Sequence, residues 1–124
     1  MLLTLNSMND KEASVNLASR DSFYIRTNNV LTRIRLTEID WIQADGNYCE
    51  IHVQDKKYAA RTSLKRLADM LPQNQFIQIH KSYIIRLDRI EKVDTNEHII
   101  SVSGVGLPLG RTYKDKLINR LNII

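Results

Sequence analysis

From Ser22 onward the chain alternates apolar and polar positions in short runs broken by polar pairs, the period of half-buried strands. Ser22–Thr27 and Val30–Leu36 make a first pair across Asn28-Asn29, residues that tolerate the positive φ of a tight hairpin. Thr32, Ile34 and Leu36 fall on one face of that pair, Arg33 and Arg35 on the other. Ile39–Ala44 and Tyr48–Gln54 form a second pair across Asp45-Gly46-Asn47, and Lys57–Arg61 follows the Asp55-Lys56 turn. Further strands are expected near Phe76–His80, Tyr83–Leu87, Ile90–Asp94, Ile99–Ser103 and Leu107–Leu109. Thr95-Asn96-Glu97 and Gly104-Val105-Gly106 are their turns. The period becomes helical in only two places. Ser63–Leu71 puts Leu64, Leu67, Ala68 and Leu71 on one stripe, with Pro72 as the stop. Thr112 is placed to cap a second helix, with Asp115 in its first turn and Tyr113, Leu117 and Leu121 recurring every four residues. The pattern predicts a mostly β domain with two short α-helices.

Residues 1–20 are polar and aperiodic, which predicts a flexible leader or linker remnant before one domain spanning 21–124. The 124 residues suit a single domain, and 26% charged residues argue against global disorder. The formal charge of +4 hides an asymmetry: residues 1–55 hold five Lys/Arg against eight Asp/Glu, residues 56–124 thirteen against six. A basic half favours a polyanionic partner. Cys49 is the only cysteine, so no internal disulfide forms. No run approaches the ~20 apolar residues of a membrane span, and the first residues lack a signal-peptide pattern, so a cytoplasmic location without membrane contact is expected.

Three polar interruptions carry the candidate chemistry. His80-Lys81-Ser82 separates two apolar strands, and Ala44-Asp45-Gly46-Asn47-Tyr48 and Leu109-Gly110-Arg111-Thr112-Tyr113 interrupt in a similar way. Lys81 and Arg111 sit beside hydroxyl groups at turns where a cation can reach outward. With Lys114 and Lys116 they suggest an anion-binding edge able to meet phosphate or a base edge. His80 has two readings, an imidazole bonded to backbone that orders the turn, or a phosphate contact. Arg61, Lys65 and Arg66 crowd the start of the first helix, where the helix dipole does not favour cations. Arg86 and Arg89 flank Asp88 as local ion pairs. Catalysis finds no support: His52, His80 and His98 lack metal-ligand spacing, Cys49 and His52 point to opposite strand faces, and the glycines miss both nucleotide-binding spacings. No enzyme activity, metal or cofactor is expected. A rival class is a protein-interaction module using an exposed β edge at residues 98–103.

In these segments, taken in order, the chain resembles the LytTR family of DNA-binding domains. The likeness rests on Ile42–Tyr48, Arg61–Leu67, Leu71-Pro72, Phe76–Ile85 and Leu107–Tyr113. The resemblance implies an elongated fold of stacked, mainly antiparallel sheets in a bacterial transcription regulator, with loops entering successive major grooves of double-stranded DNA. Carried over by position, the contact loops are Asp45–Tyr48, His80-Lys81-Ser82 and the turn with Arg111. Lys81 and Arg111 become base readers or phosphate clamps near the bases, while Asn47, Tyr48, Ser82 and Lys114 position the backbone. The family often has Arg where Gln78 stands, Asn where Arg86 stands and Ser where Gly110 stands. Arg86 is therefore expected to restore charge near the second loop, and the Gly110 N–H to serve as a local donor. The family also implies a side-by-side pair or homodimer on DNA, and a receiver domain or sensor kinase as partner. Twenty leading residues cannot form a receiver, so the chain is either a stand-alone regulator or the C-terminal domain of a longer one.

Overall fold

The computed structural model describes residues 21–124, which divide along the chain into two compact units between Glu38 and Ile39. The expected leader at 1–20 lies outside the described residues. In the first unit β1 (Ser22–Thr27) pairs with β2 (Val30–Arg35) as an antiparallel two-stranded sheet, followed by a 3₁₀ turn at Leu36–Glu38. Asn28 takes φ +56° at the hairpin tip, as a short amide side chain allows. Ile25 and Ile34 are buried on one face, and Arg26, Arg33 and Arg35 are exposed on the other.

The second unit is built on a five-stranded antiparallel sheet in the order β5-β4-β3-β7-β6. Its strands are β3 (Ile39–Asp45), β4 (Tyr48–Val53), β5 (Lys56–Ala60), β6 (Phe76–His80) and β7 (Tyr83–Arg86). Helix α1 (Leu64–Met70) packs on one face through Leu64 and Leu67. Its N-cap is Ser63, whose hydroxyl accepts the Arg66 N–H at 3.1 Å. A three-stranded sheet, β10-β9-β8, and helix α2 (Arg111–Ile118) cover the other face; β8 is Lys92–Asp94, β9 Ile99–Val102 and β10 Val105–Pro108. Trp41, Ile77, Ile79 and Ile85 from the large sheet, Ile100, Val102 and Leu107 from the small one, and Leu117 from α2 form one core there. Burial of these branched side chains is the main force joining the two sheets.

The mostly β class with two short helices holds, and four local expectations need correction. The helix after Gly110 begins at Arg111 with Gly110 as N-cap and no side-chain cap, so Thr112 lies inside its first turn. Leu87–Arg89 is a 3₁₀ turn and β8 starts only at Lys92, because the chain must leave the large sheet to join the small one. The β9–β10 turn is Ser103-Gly104, both at positive φ, which leaves Val105 and Gly106 inside β10. The segment proposed as an exposed edge contains β9, the central strand of its sheet, paired on both sides. Its backbone groups are occupied and cannot template a partner strand. Among the described residues no helix is long and apolar enough to cross a membrane.

Candidate nucleic-acid interface

All three polar interruptions emerge at the same end of the five-stranded sheet. Gly46 and Asn47 connect β3 to β4, with Asp45 facing Tyr48 in register. Gly46 takes φ +62° at the first central position, the requirement of a two-residue hairpin whose twist matches the strands. Lys81 and Ser82 connect β6 to β7, with His80 facing Tyr83. Neither central residue there has positive φ, so the turn lacks the favoured hairpin twist. The mismatch is absorbed next to the turn, where the register shifts between Gln78 and His80 and Ile79 becomes the extra residue of a bulge. His80 completes the arrangement: its Nδ1 accepts the Ser82 N–H at 3.1 Å, its carbonyl accepts the Gln78 side-chain amide at 3.1 Å, and its ring meets Tyr83 edge-on. The Ser82 N–H bond is the backbone contact that the first reading of His80 expects. With Nδ1 accepting, the neutral ring carries its proton on Nε2.

Two backbone hydrogen bonds lock the three turns to one another. Ala44 N–H donates to the Ser82 carbonyl at 2.8 Å, extending the β3–β7 ladder into the two loops. Gly110 N–H donates to the carbonyl of Ile79, the bulge residue, at 2.7 Å, seating the start of α2 beside β6. That N–H is thus engaged inside the protein and is not the outward donor expected of it. A Cβ at Gly110 would lie 2.9 Å from the Tyr113 ring of the same helix and 3.6 Å, an ordinary contact distance, from the His80 backbone.

The resulting row presents Asp45, Asn47, Tyr48, Lys81 and Arg111 as exposed side chains, with Ser82 and His80 half-buried among them. Lys114 stands one turn into α2, its ammonium 3.5 Å from the Thr95 carbonyl on the neighbouring β8–β9 connection. The end of β5 belongs to the same end of the sheet, since Ala60 faces Cys49 and the Cys49 thiol donates to the Thr62 carbonyl at 3.4 Å. Arg61 is exposed there. Arg86, by contrast, faces Phe76 at the far end of β7. It is 8% exposed, bonded to Asp88 at 2.8 Å and to Gln75 at 3.0 Å, and lies over the Phe76 ring. It supplies packing at that end and no charge to the second loop. Arg89 pairs with buried Asp40 at 3.1 Å.

The remaining reactive groups lie away from this row or inside the fold. Cys49 is fully buried, and burial raises its thiol pKa above the ordinary value, which keeps it protonated and inert. His52 stacks on Trp41 with 4.2 Å between ring centroids, and Glu50 lies 3.4 Å from its Nε2 and 3.6 Å from the Lys57 ammonium. The Trp41–His52 and Glu50–Lys57 contacts run between strands, whereas Glu50 and His52 are two apart on β4 and share its face. Among the described residues no three His, Cys, Asp or Glu side chains gather as a metal site.

The family model for the LytTr DNA-binding domain matches residues 29–122. An uncharacterized response regulatory protein of Vibrio cholerae is 33% identical over 64 residues, which is 48% of this chain and 24% of that protein. The sensory transduction protein LytT of Bacillus subtilis is 22% identical over 90 residues, 69% of this chain and 37% of LytT. The CO-responsive transcriptional regulator RcoM of Rhodospirillum rubrum is 27% identical over 88 residues, 67% of this chain and 37% of RcoM. The chain therefore spans from a quarter to little more than a third of these relatives. A solved LytTr DNA-binding domain from Bacillus cereus superposes with a TM-score of 0.72 over 83% of this chain and 98% of that one, at 18% identity, so the fold is shared.

Proposed function

The chain belongs to the LytTr DNA-binding domain family, and on that premise we propose that it binds double-stranded DNA sequence-selectively through the row of three turns, as the DNA-recognition part of a bacterial transcription regulator. The observation that carries this is the pair of backbone bonds, Ala44 to Ser82 and Gly110 to Ile79, that holds three sequence-distant polar turns in one rigid line. A flexible set of loops would lose side-chain and loop entropy on binding, whereas a prearranged one has already lost it on folding. From β4 to Gly110 the row crosses four inter-strand steps of ~4.8 Å, roughly 19 Å in all. That exceeds the ~12 Å width of a major groove, so a row laid along the duplex places its ends in different grooves.

Lys81 at the centre and Arg111 at one end are the base readers or phosphate clamps. Asn47, Tyr48, Ser82 and Lys114 position the backbone, and Asp45 can accept from a cytosine amino group. His80 is a positioning residue for the central loop. The domain needs no metal or cofactor for this and performs no catalysis. It works in the cytoplasm, with two copies side by side on repeated sites, and takes its signal from a receiver domain or a sensor kinase pathway, in keeping with the regulatory names of its relatives.

Selection of duplexes from a random library, with affinities followed by fluorescence anisotropy at two salt concentrations, tests the whole reading. A short enriched motif, recurring about one helical turn apart, is the expected outcome. Affinity should fall steeply with salt. Lys81→Ala and Arg111→Ala should each cost ~1–3 kcal/mol and relax preference at one base position if they read bases. Unchanged affinity in the double variant would remove the loop assignment, and absence of binding at low salt would remove DNA as the partner.

A further inference from the structure

The β1–β2 hairpin carries a charged face that the loop row does not use. By register, Tyr24 lies opposite Arg33, Arg26 opposite Leu31 and Ser22 opposite Arg35, so these six residues share one face. Arg26, Arg33 and Arg35 are exposed on it, and Tyr24 and Leu31 are 58% and 54% exposed. Ser22–Arg35 contains no acidic residue and no lysine. Among the described residues no ion pair joins any of the three guanidinium groups to a carboxylate, and Arg33 bonds only the Ser22 hydroxyl, at 3.2 Å. Unneutralised like charges this close repel one another, and local stability gives no reason to keep them. Among the described residues the sheet has two strands, and β2 has no strand partner along its second edge.

We propose that this hairpin takes up an extended acidic segment of a protein partner, added as a strand along β2. A third strand at that edge places every second side chain on the Arg face, opposite Leu31, Arg33 and Arg35. Acidic residues opposite Arg33 and Arg35, with an apolar residue opposite Leu31, neutralise the charge and cover the apolar surface together. The composition decides between partner classes. Arg, Tyr and exposed aliphatic residues without Lys or acids match the core of protein interfaces. A phosphodiester backbone would meet the cations but leave Tyr24 and Leu31 uncovered. A second copy of this hairpin repeats the positive face and is repelled by it. None of these six residues belongs to the proposed DNA-reading set of Asp45, Asn47, Tyr48, His80, Lys81, Ser82, Arg111 and Lys114.

The test uses the whole chain, isotopically labelled, titrated with a short peptide alternating glutamate and valine, with its lysine–valine counterpart as control. The acidic peptide should shift the amide resonances of Leu31–Arg35, and the basic peptide should shift none. Arg26→Gln combined with Arg35→Gln, neither of which has a described intramolecular partner to lose, should weaken the acidic peptide about tenfold while DNA affinity stays within about threefold. Shifts confined to other segments, or peptide affinity unchanged by the double substitution, would overturn the proposal. So would a loss of DNA affinity of about tenfold in the double variant with a shallower salt dependence, since that would assign the face to phosphate. Failure of the chain to bind DNA at all leaves the peptide result readable by itself.

Discussion

At Gly46 the chain takes φ +62° with nothing within 4 Å of where a Cβ would be, so any substitution there is felt through backbone conformation alone. Gly46→Ala should destabilise by about 1–2 kcal/mol, the cost of a left-handed conformation for an L-residue, and Gly46→Asn by distinctly less, because the amide tolerates that region. Thermal unfolding of the three proteins checks the order, and equal stability would refute a conformational origin. The glycine was legible in the sequence because its neighbours Asp45 and Asn47 mark a turn between two alternating runs. Gly110 was not. Its residue type suggested an available N–H, but the structure engages that N–H with Ile79, and no local pattern announces a bond to a bulge thirty-one positions away. Arg86 shows the same limit. A cation in a basic half looks like surface charge until burial and its bonds to Asp88 and Gln75 show it to be packing.

Among the elements, the β6–β7 hairpin differs from its neighbours in how its turn is held. The other two-residue turns relieve their twist with a positive φ at Asn28, Gly46, Gln54 or Ser103. The Lys81-Ser82 turn has none, and is held by the Ile79 bulge and the His80 side chain. His80→Ala removes the acceptor for the Ser82 N–H and should loosen the loop that carries Lys81. DNA affinity should drop by about tenfold, roughly 1.4 kcal/mol, with an unchanged salt slope, since no phosphate contact is lost. His80→Asn, whose carbonyl oxygen can accept the same N–H, should recover part of it. A shallower salt slope for the alanine variant would instead make His80 a phosphate contact. The alternation of residues 76–86 gives both strands and the polar break, because a two-residue period is a local property. The bulge depends on the neighbouring strand and on α2, and so leaves no trace in the pattern.

For the molecule as a whole, stability and binding respond to solution conditions through different groups. Burial holds the His52 pKa below its ordinary value of 6.5, with Glu50 pulling in the opposite direction and Lys57 adding a smaller push downward. The unfolded chain therefore takes up a proton at a pH where the folded chain still resists it. The contribution is intact above about pH 6.5 and is lost as pH falls below it toward the depressed folded value. The melting temperature should fall on going from neutral pH to about pH 5, and fall less in His52→Phe, which keeps a ring on Trp41 without a titrating group. Equal pH dependence in the two proteins would exclude His52 as a source. By itself the amino-acid sequence determined most of the strands, the two helices and the positions of the three polar interruptions, because periodicity, turn chemistry and residue type are local. Only the tertiary structure decided that the turns stand in one row, that residues 99–102 lie at the centre of a sheet and offer no edge, and that Arg86 faces inward. Those outcomes depend on strand order and on hydrogen bonds between segments far apart in the chain, and a one-dimensional pattern carries neither.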